Sequence, residues 1–141
     1  MTKEFKQTNN SMGKKVPGKV LEYLVLEACE EGPTYGYEIV SRIENITEGN
    51  WSPSYGTIYP LIQRLEEDGL IKSLNDEEAE KEGLETGDRN YYTITGEGLE
   101  KFEEVSEEKK DDFEDLVAGY LKVYEHVHGG KELKDFLENF L

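Results

Sequence analysis

The sequence predicts a mainly α chain that carries a winged helix-turn-helix, a two-stranded wing and a long C-terminal dimerisation helix. Three observations predict it. Residues 52–71 read as one amphipathic helix that stops at Gly69 and passes at once into an extended segment. A shorter helical segment, from Tyr35 to an end around 47–50, lies one turn upstream, as the helix-turn-helix requires. Two stretches that read as strands, 70–75 and 89–95, flank an acidic tip.

At 141 residues the chain suits one domain with an appended helix. The boundaries expected are a basic, flexible arm over 1–15, a winged helix over 16–95 and a helical dimerisation region over 96–141. No apolar run approaches the roughly 18 residues that span a bilayer. The N-terminus lacks the apolar segment of a secretion signal, and Cys29 is the single cysteine, so a reducing cytoplasm is expected and a disulfide framework is excluded. Thirty-two acidic residues stand against sixteen basic ones, a net charge of −16. The distribution is uneven: residues 1–20 hold five lysines, Lys14 and Lys15 among them, against Glu4 alone. A basic arm on an acidic body points to an anionic partner for the arm.

Taken in order, Pro17 marks a first helix start, and Val20, Leu21, Leu24, Val25 and Ala28 form its apolar stripe. Cys29 is a small core residue near its end. Gly32-Pro33 stops this helix, and Thr34 is expected to cap the next, which turns Ile39, Val40 and Ile43 inward. Gly36 in the first turn costs about 1 kcal/mol against alanine, so close approach of another helix is expected there. In the third helix Ser52 is expected as cap and Pro53 as first residue. Ile58, Leu61, Ile62 and Leu65 make its buried face. Tyr55, Thr57, Tyr59, Gln63 and Arg64 make the other, with side chains suited to phosphates and base edges. Pro60 is a misfit that predicts a kink or an offset first turn, since it clashes with the Gly56 carbonyl.

The tip from Asp76 to Asp88 is mostly acidic and is expected to be too polar to pack. Thr95 is expected to cap the long C-terminal helix. Residues 96–128 read as one long helix or two stacked ones, with a seam of Leu99, Phe102 and Val105 that resumes at Phe113, Leu116, Val117, Tyr120, Leu121, Tyr124 and Val127. So long a seam calls for a second chain. Gly129-Gly130 breaks the helix before a short amphipathic one over 131–141.

Enzyme chemistry finds no support. The acidic pairs are solvated faces, and no Ser, Cys or Lys has a recognisable base partner. His126 and His128 lie two apart and cannot share one metal on a helix, so neither a metal nor a cofactor is expected. Trp51 could be a platform for a flat effector, but a hydrophobic staple before the third helix is the simpler reading.

Three segments resemble the PadR-type transcriptional regulators. Glu31-Gly32-Pro33-Thr34-Tyr35-Gly36-Tyr37-Glu38-Ile39 looks like that family's small-Gly-Tyr-Glu segment. Ser54 to Ile71, with the proline inside the helix, is similar to its recognition-helix signature, and Arg89 to Gly98 to its wing strand and the turn into the dimerisation helix. The resemblance covers residues 17–125 or so and implies a homodimeric repressor on a pseudo-palindromic site in double-stranded DNA. It also implies response to a small aromatic effector near the dimer interface. It places Tyr35, Tyr37, Ser54, Thr57, Tyr59 and Gln63 on or near DNA, and gives Arg64 a structural role more readily than a DNA contact. Two features depart from the family pattern: the acidic wing tip, which phosphates would repel, and the acidic break in the C-terminal helix. DNA contact is then expected from the third helix, Lys72, Arg89 and the N-terminal lysines. Trp51, Phe113, Tyr120 and Tyr124 are the effector candidates; Leu99, Phe102, Phe113, Leu116, Tyr120 and Tyr124 are the dimer candidates. A protein-interaction module on the same fold, with weak or lost DNA binding, is the alternative.

Overall fold

Helix α1 (Gly18–Glu31) buries Leu21, Val25, Leu26, Ala28 and Cys29 along the stripe its spacing sets. A computed structural model describes residues 18–85, 87 and 89–141. The N-terminal arm, with Lys14, Lys15 and the helix-start proline Pro17, lies outside the described residues.

Helix α2 (Gly36–Ile46) turns Ile39, Val40 and Ile43 inward, and α3 (Tyr55–Glu67) turns in Ile58, Leu61, Ile62 and Leu65. These faces meet α1 in one cluster that Ile71 completes, with Leu24, Trp51, Leu70 and Phe102 packed at its edge. Each fully buried leucine or isoleucine contributes about 1.5–3 kcal/mol, which makes this cluster the main source of stability.

Strands β1 (Ile71–Ser73) and β2 (Tyr92–Ile94) pair antiparallel, with Ile71 opposite Ile94, Lys72 opposite Thr93 and Ser73 opposite Tyr92. They are shorter than the stretches that predict them. Thr34 adds a bridge on the far side of β2. Its N–H donates to the Tyr92 carbonyl at 3.0 Å, and the Tyr92 N–H donates back at 2.7 Å.

Four expectations need correction. Thr34 does not cap α2: Tyr35 is the N-cap residue, and the Thr34 hydroxyl donates to Glu38 Oε1 at 3.0 Å. The bridge to β2 holds its backbone instead. Ser52 and Pro53 do not begin α3, because Pro53 is fully buried and the Ser52 hydroxyl donates to Glu44 of α2. The helix starts two residues later, with Ser54 as N-cap. Pro60 interrupts nothing: α3 continues through it as a single helix. The wing tip is not structureless. It forms α4 (Asp76–Lys81), closed by a capping box in which Asn75 accepts from the Glu78 N–H and Glu78 accepts from the Asn75 N–H. Three acids in its first turn and Lys81 in its last suit the helix dipole, and Ala79, 3% exposed, anchors it.

Helix α5 (Gly96–His128) is one continuous helix of 33 residues, acidic break included. Thr95 caps it as expected, accepting from the Gly98 N–H at 3.0 Å. The junction with the end of α3 is tight. Thr95 Oγ1 donates to the Gly69 carbonyl at 2.6 Å and the Thr95 N–H to the Leu70 carbonyl at 3.1 Å. A Cβ on Gly98 would lie 1.9 Å from the Leu70 carbonyl oxygen, so only glycine fits.

The chain divides into two compact units inside α5, the first ending at Glu103 and the second spanning Glu104–Leu141. Phe102 falls in the first unit. It stacks on Tyr23 of α1 with ring centroids 5.1 Å apart, although its spacing also suited the dimer seam. In the second unit α6 (Gly130–Phe140) follows Gly129, whose φ of +95° only glycine adopts readily. Tyr124 of α5 stacks on Phe136 of α6 at 5.7 Å, and Phe136 on Phe140 at 5.8 Å. No helix among the described residues is long and apolar enough to cross a membrane.

Candidate nucleic-acid interface

The turn between α2 and α3 is fixed by side chains. Thr47 Oγ1 donates to the Ile43 carbonyl at 2.8 Å and accepts from the Trp51 N–H at 3.0 Å. Gly49, at φ +82°, donates its N–H to the Glu44 carbonyl at 2.8 Å. With Pro53 buried and Trp51 packed on the core, the start of α3 has one position relative to α2. Trp51 is thus a packing residue in the first unit.

The outer face of α3 is polar and aromatic. Tyr55, Tyr59 and Gln63, at i, i+4 and i+8, form one exposed ridge, with Ser54 beside it and Thr57 half-buried. The Tyr55 and Tyr59 rings stack at 6.0 Å, and the Ser54 and Thr57 hydroxyls lie 3.0 Å apart. Tyr59 lies over the first turn of α2, where a Cβ on Gly36 would come within 2.7 Å of its ring. The cost of a glycine in that turn is thereby explained. Tyr37, 60% exposed, shares this face. The Tyr55 hydroxyl is held above the ordinary phenol value, by desolvation first and then by the neighbouring Tyr37 and Tyr59 phenols and Glu44. It stays a proton donor.

The cations behave differently. The chain has three arginines, and each is engaged by a glutamate. Arg42 makes a two-pronged pair with Glu27 of α1, at 2.9 Å from Nε and 2.5 Å from Nη2. Arg64 reaches from α3 to Glu22 of α1 at 2.8 Å. Arg89 pairs with Glu85 at 2.9 Å and lies over the Tyr35 ring, 4.9 Å from its centroid. A hydrogen bond to the Tyr91 side chain and the proximity of Tyr35 hold the Arg89 guanidinium firmly protonated. Tyr35 itself is half-buried and meets Tyr91 edge to face at 5.3 Å. Lys72 of β1 is exposed, with no ion pair to another described residue. The structure therefore gathers Tyr37, Ser54, Tyr55, Tyr59 and Gln63 on one surface and ties Arg64 back to α1. Sequence reasoning missed the glutamate partners of the arginines; only Glu85, four residues before Arg89, is visible there as a local pair.

Among the described residues no group of three or more His, Cys, Asp or Glu side chains could hold a metal ion. Phe113, Tyr120 and Tyr124 lie on α5, Tyr120 with 65% of its surface exposed.

Two helices joined by a fixed turn and followed by a two-stranded wing define a winged helix-turn-helix protein. Residues 25–104 match the transcriptional regulator PadR-like family. The chain belongs to that family. The transcriptional regulator YqjI of Escherichia coli is 33% identical over 88 residues, 62% of this chain but 38% of the regulator, so the match spans well under half of that protein. A transcriptional regulator from Clostridium thermocellum has a similar structure, with a TM-score of 0.57 and 31% identity over 70% of this chain and 87% of the other. The Bacillus subtilis negative transcriptional regulator PadR is 26% identical over 127 residues, 85% of this chain and 66% of its own. Its crystal structure in complex with operator DNA gives a TM-score of 0.50 at 25% identity over 62% of this chain and 47% of that one.

Proposed function

We propose that the protein is a homodimeric repressor, acting in the cytoplasm, that binds a pseudo-palindromic operator in double-stranded DNA through α3. The observation that carries this reading is the exposed Tyr55–Tyr59–Gln63 ridge, on the helix that the turn from α2 holds in place. A similar PadR chain was crystallised with operator DNA, which supports the same partner here. Ser54, Thr57 and Tyr37 join the ridge at the groove; Lys72, Lys14 and Lys15 neutralise phosphates. Tyr35 and Arg89 set the flank beside the wing, and Arg64 acts through its pair with Glu22. Two recognition helices about 34 Å apart would meet successive turns of the duplex.

Dimerisation uses α5 and α6. Leu116, Val117, Tyr120, Val123 and Val127 are exposed along α5, and no residue of α6 is buried in the single chain. An apolar surface of this length needs a second copy. Phe113 joins it within the same unit and Leu99 is a further dimer candidate in the first unit, where Phe102 is already covered in part by Tyr23. A small aromatic effector would stack on Tyr120 and Tyr124 and shift the dimer between states of different operator affinity. Trp51 is a weaker candidate for this role because it packs on the core.

The test is titration of the purified protein with its own promoter region and with random DNA of equal length. Preference for the promoter, with a dimer in sedimentation, is the expected result. Silent titrations would favour the interaction-module reading, for which the glutamate pairing of all three arginines is the supporting observation.

A further inference from the structure

The recognition face and the arginines lie in different places, and the separation bears on which base pairs are read. A guanine in the major groove is most often recognised by a two-pronged arginine or a lysine at its O6 and N7 atoms. In this chain the only arginine on α3 is Arg64, whose guanidinium is bound to Glu22 of α1. Arg42 on α2 is held by Glu27 at both ends of its fork. Helix α3 has no lysine. The exposed ridge of α3 instead offers Gln63, whose side-chain amide makes no hydrogen bond to another described residue, and the Tyr55 and Tyr59 phenols. A free glutamine amide matches the N7 acceptor and N6 donor of adenine with two parallel bonds. Ser54 and Thr57 present small hydroxyls that suit either kind of pair.

We infer that the major-groove readout of this protein is free of arginine and centred on A·T pairs, with Gln63 as the residue that specifies one adenine in each half-site. The inference rests on the reading of α3 as the DNA-binding helix. It adds a base class to that reading. Arg64 is then a positioning residue that ties α3 to α1, and guanine is tolerated where a Ser54 or Thr57 hydroxyl donates to its N7 or O6 atom, a contact that does not select it over adenine.

The experiment is selection of bound duplexes from a random pool by the full chain, repeated with Gln63→Ala and Gln63→Glu. Gln63 is exposed, so both variants keep the fold; matched thermal unfolding checks this. The wild type should enrich half-sites with an A·T core. Gln63→Ala should lose about tenfold of the discrimination at one base pair per half-site. Gln63→Glu should move that position from adenine towards cytosine, because a carboxylate accepts from the cytosine N4 amine. Enriched half-sites with a G·C core, or an unchanged base preference in both variants, overturn the inference and leave operator binding standing. No enrichment at all overturns the operator-binding reading and the inference with it.

Discussion

Cys29 and Gly36 show how much single side chains decide. Burial pushes the Cys29 thiol up to about 12, from an ordinary 9.0. The folded state therefore keeps its proton where the unfolded chain gives it up. The stability this contributes is complete below pH 9 and falls as pH rises through 9 towards 12. The native thiol should accordingly resist alkylation at neutral pH, and Cys29→Ala should flatten the alkaline loss of stability, read from urea midpoints between pH 8 and 11. Gly36→Ala sets a helix-propensity gain of about 1 kcal/mol against a clash with the Tyr59 ring. The ring is the far end of a side chain and can swing away. Stability should change by less than about 1 kcal/mol, while operator affinity, followed by fluorescence anisotropy, falls about tenfold because Tyr59 leaves the ridge. Gly36 was legible as a close approach from its cost in a helix. Arg64 was legible as a structural residue only through the family resemblance, since Glu22 lies far away in the sequence.

Among the elements, the buried faces of α1, α2 and α3 were written in their spacing, and so was the outer ridge of α3. Their ends were not. The start of α3 depends on Pro53 sinking into the core and on Ser52 meeting Glu44, contacts that no local periodicity encodes. Thr34 has a capping side chain, yet a non-local bridge to Tyr92 claims its backbone. The α4 helix was hidden by composition: the acidic content masked the Asn75…Glu78 capping box that the sequence does contain. The junction of α3 and α5 yields the sharpest test at this scale. In Gly98→Ala the new methyl meets backbone rather than a movable side chain. Loss of about 1–3 kcal/mol or more is expected in urea unfolding, because neither Leu70 nor Thr95 can retreat without breaking their hydrogen bonds.

Over the whole molecule, part of the acidity behind the net charge of −16 is consumed internally. Glu22 and Glu27 bind Arg64 and Arg42, which fastens both helices of the pair to α1. These pairs are partly exposed, so each contributes on the order of 1 kcal/mol or less, but they orient the helices as well. In the reading proposed above, phosphates are met by lysines: Lys72 and those of the arm. Replacing Lys14 and Lys15 by glutamine should flatten the slope of log affinity against log salt by about 0.9 for each phosphate no longer neutralised, without altering the preferred sequence. An unchanged slope would remove the arm from the interface.

The arginine pairing also bears on how such a protein would find its operator. Binding to arbitrary DNA is almost wholly a matter of positive charge on phosphate, and such binding is what lets a regulator slide along a chromosome. A protein with its guanidiniums committed to its own glutamates would be held only briefly by the millions of wrong sites. It would arrive by repeated collisions from solution rather than by scanning, and few copies would be trapped elsewhere. Selectivity depends on the ratio of right to wrong binding, and so ion pairs that withhold guanidiniums from phosphates would raise the share of molecules found at the operator.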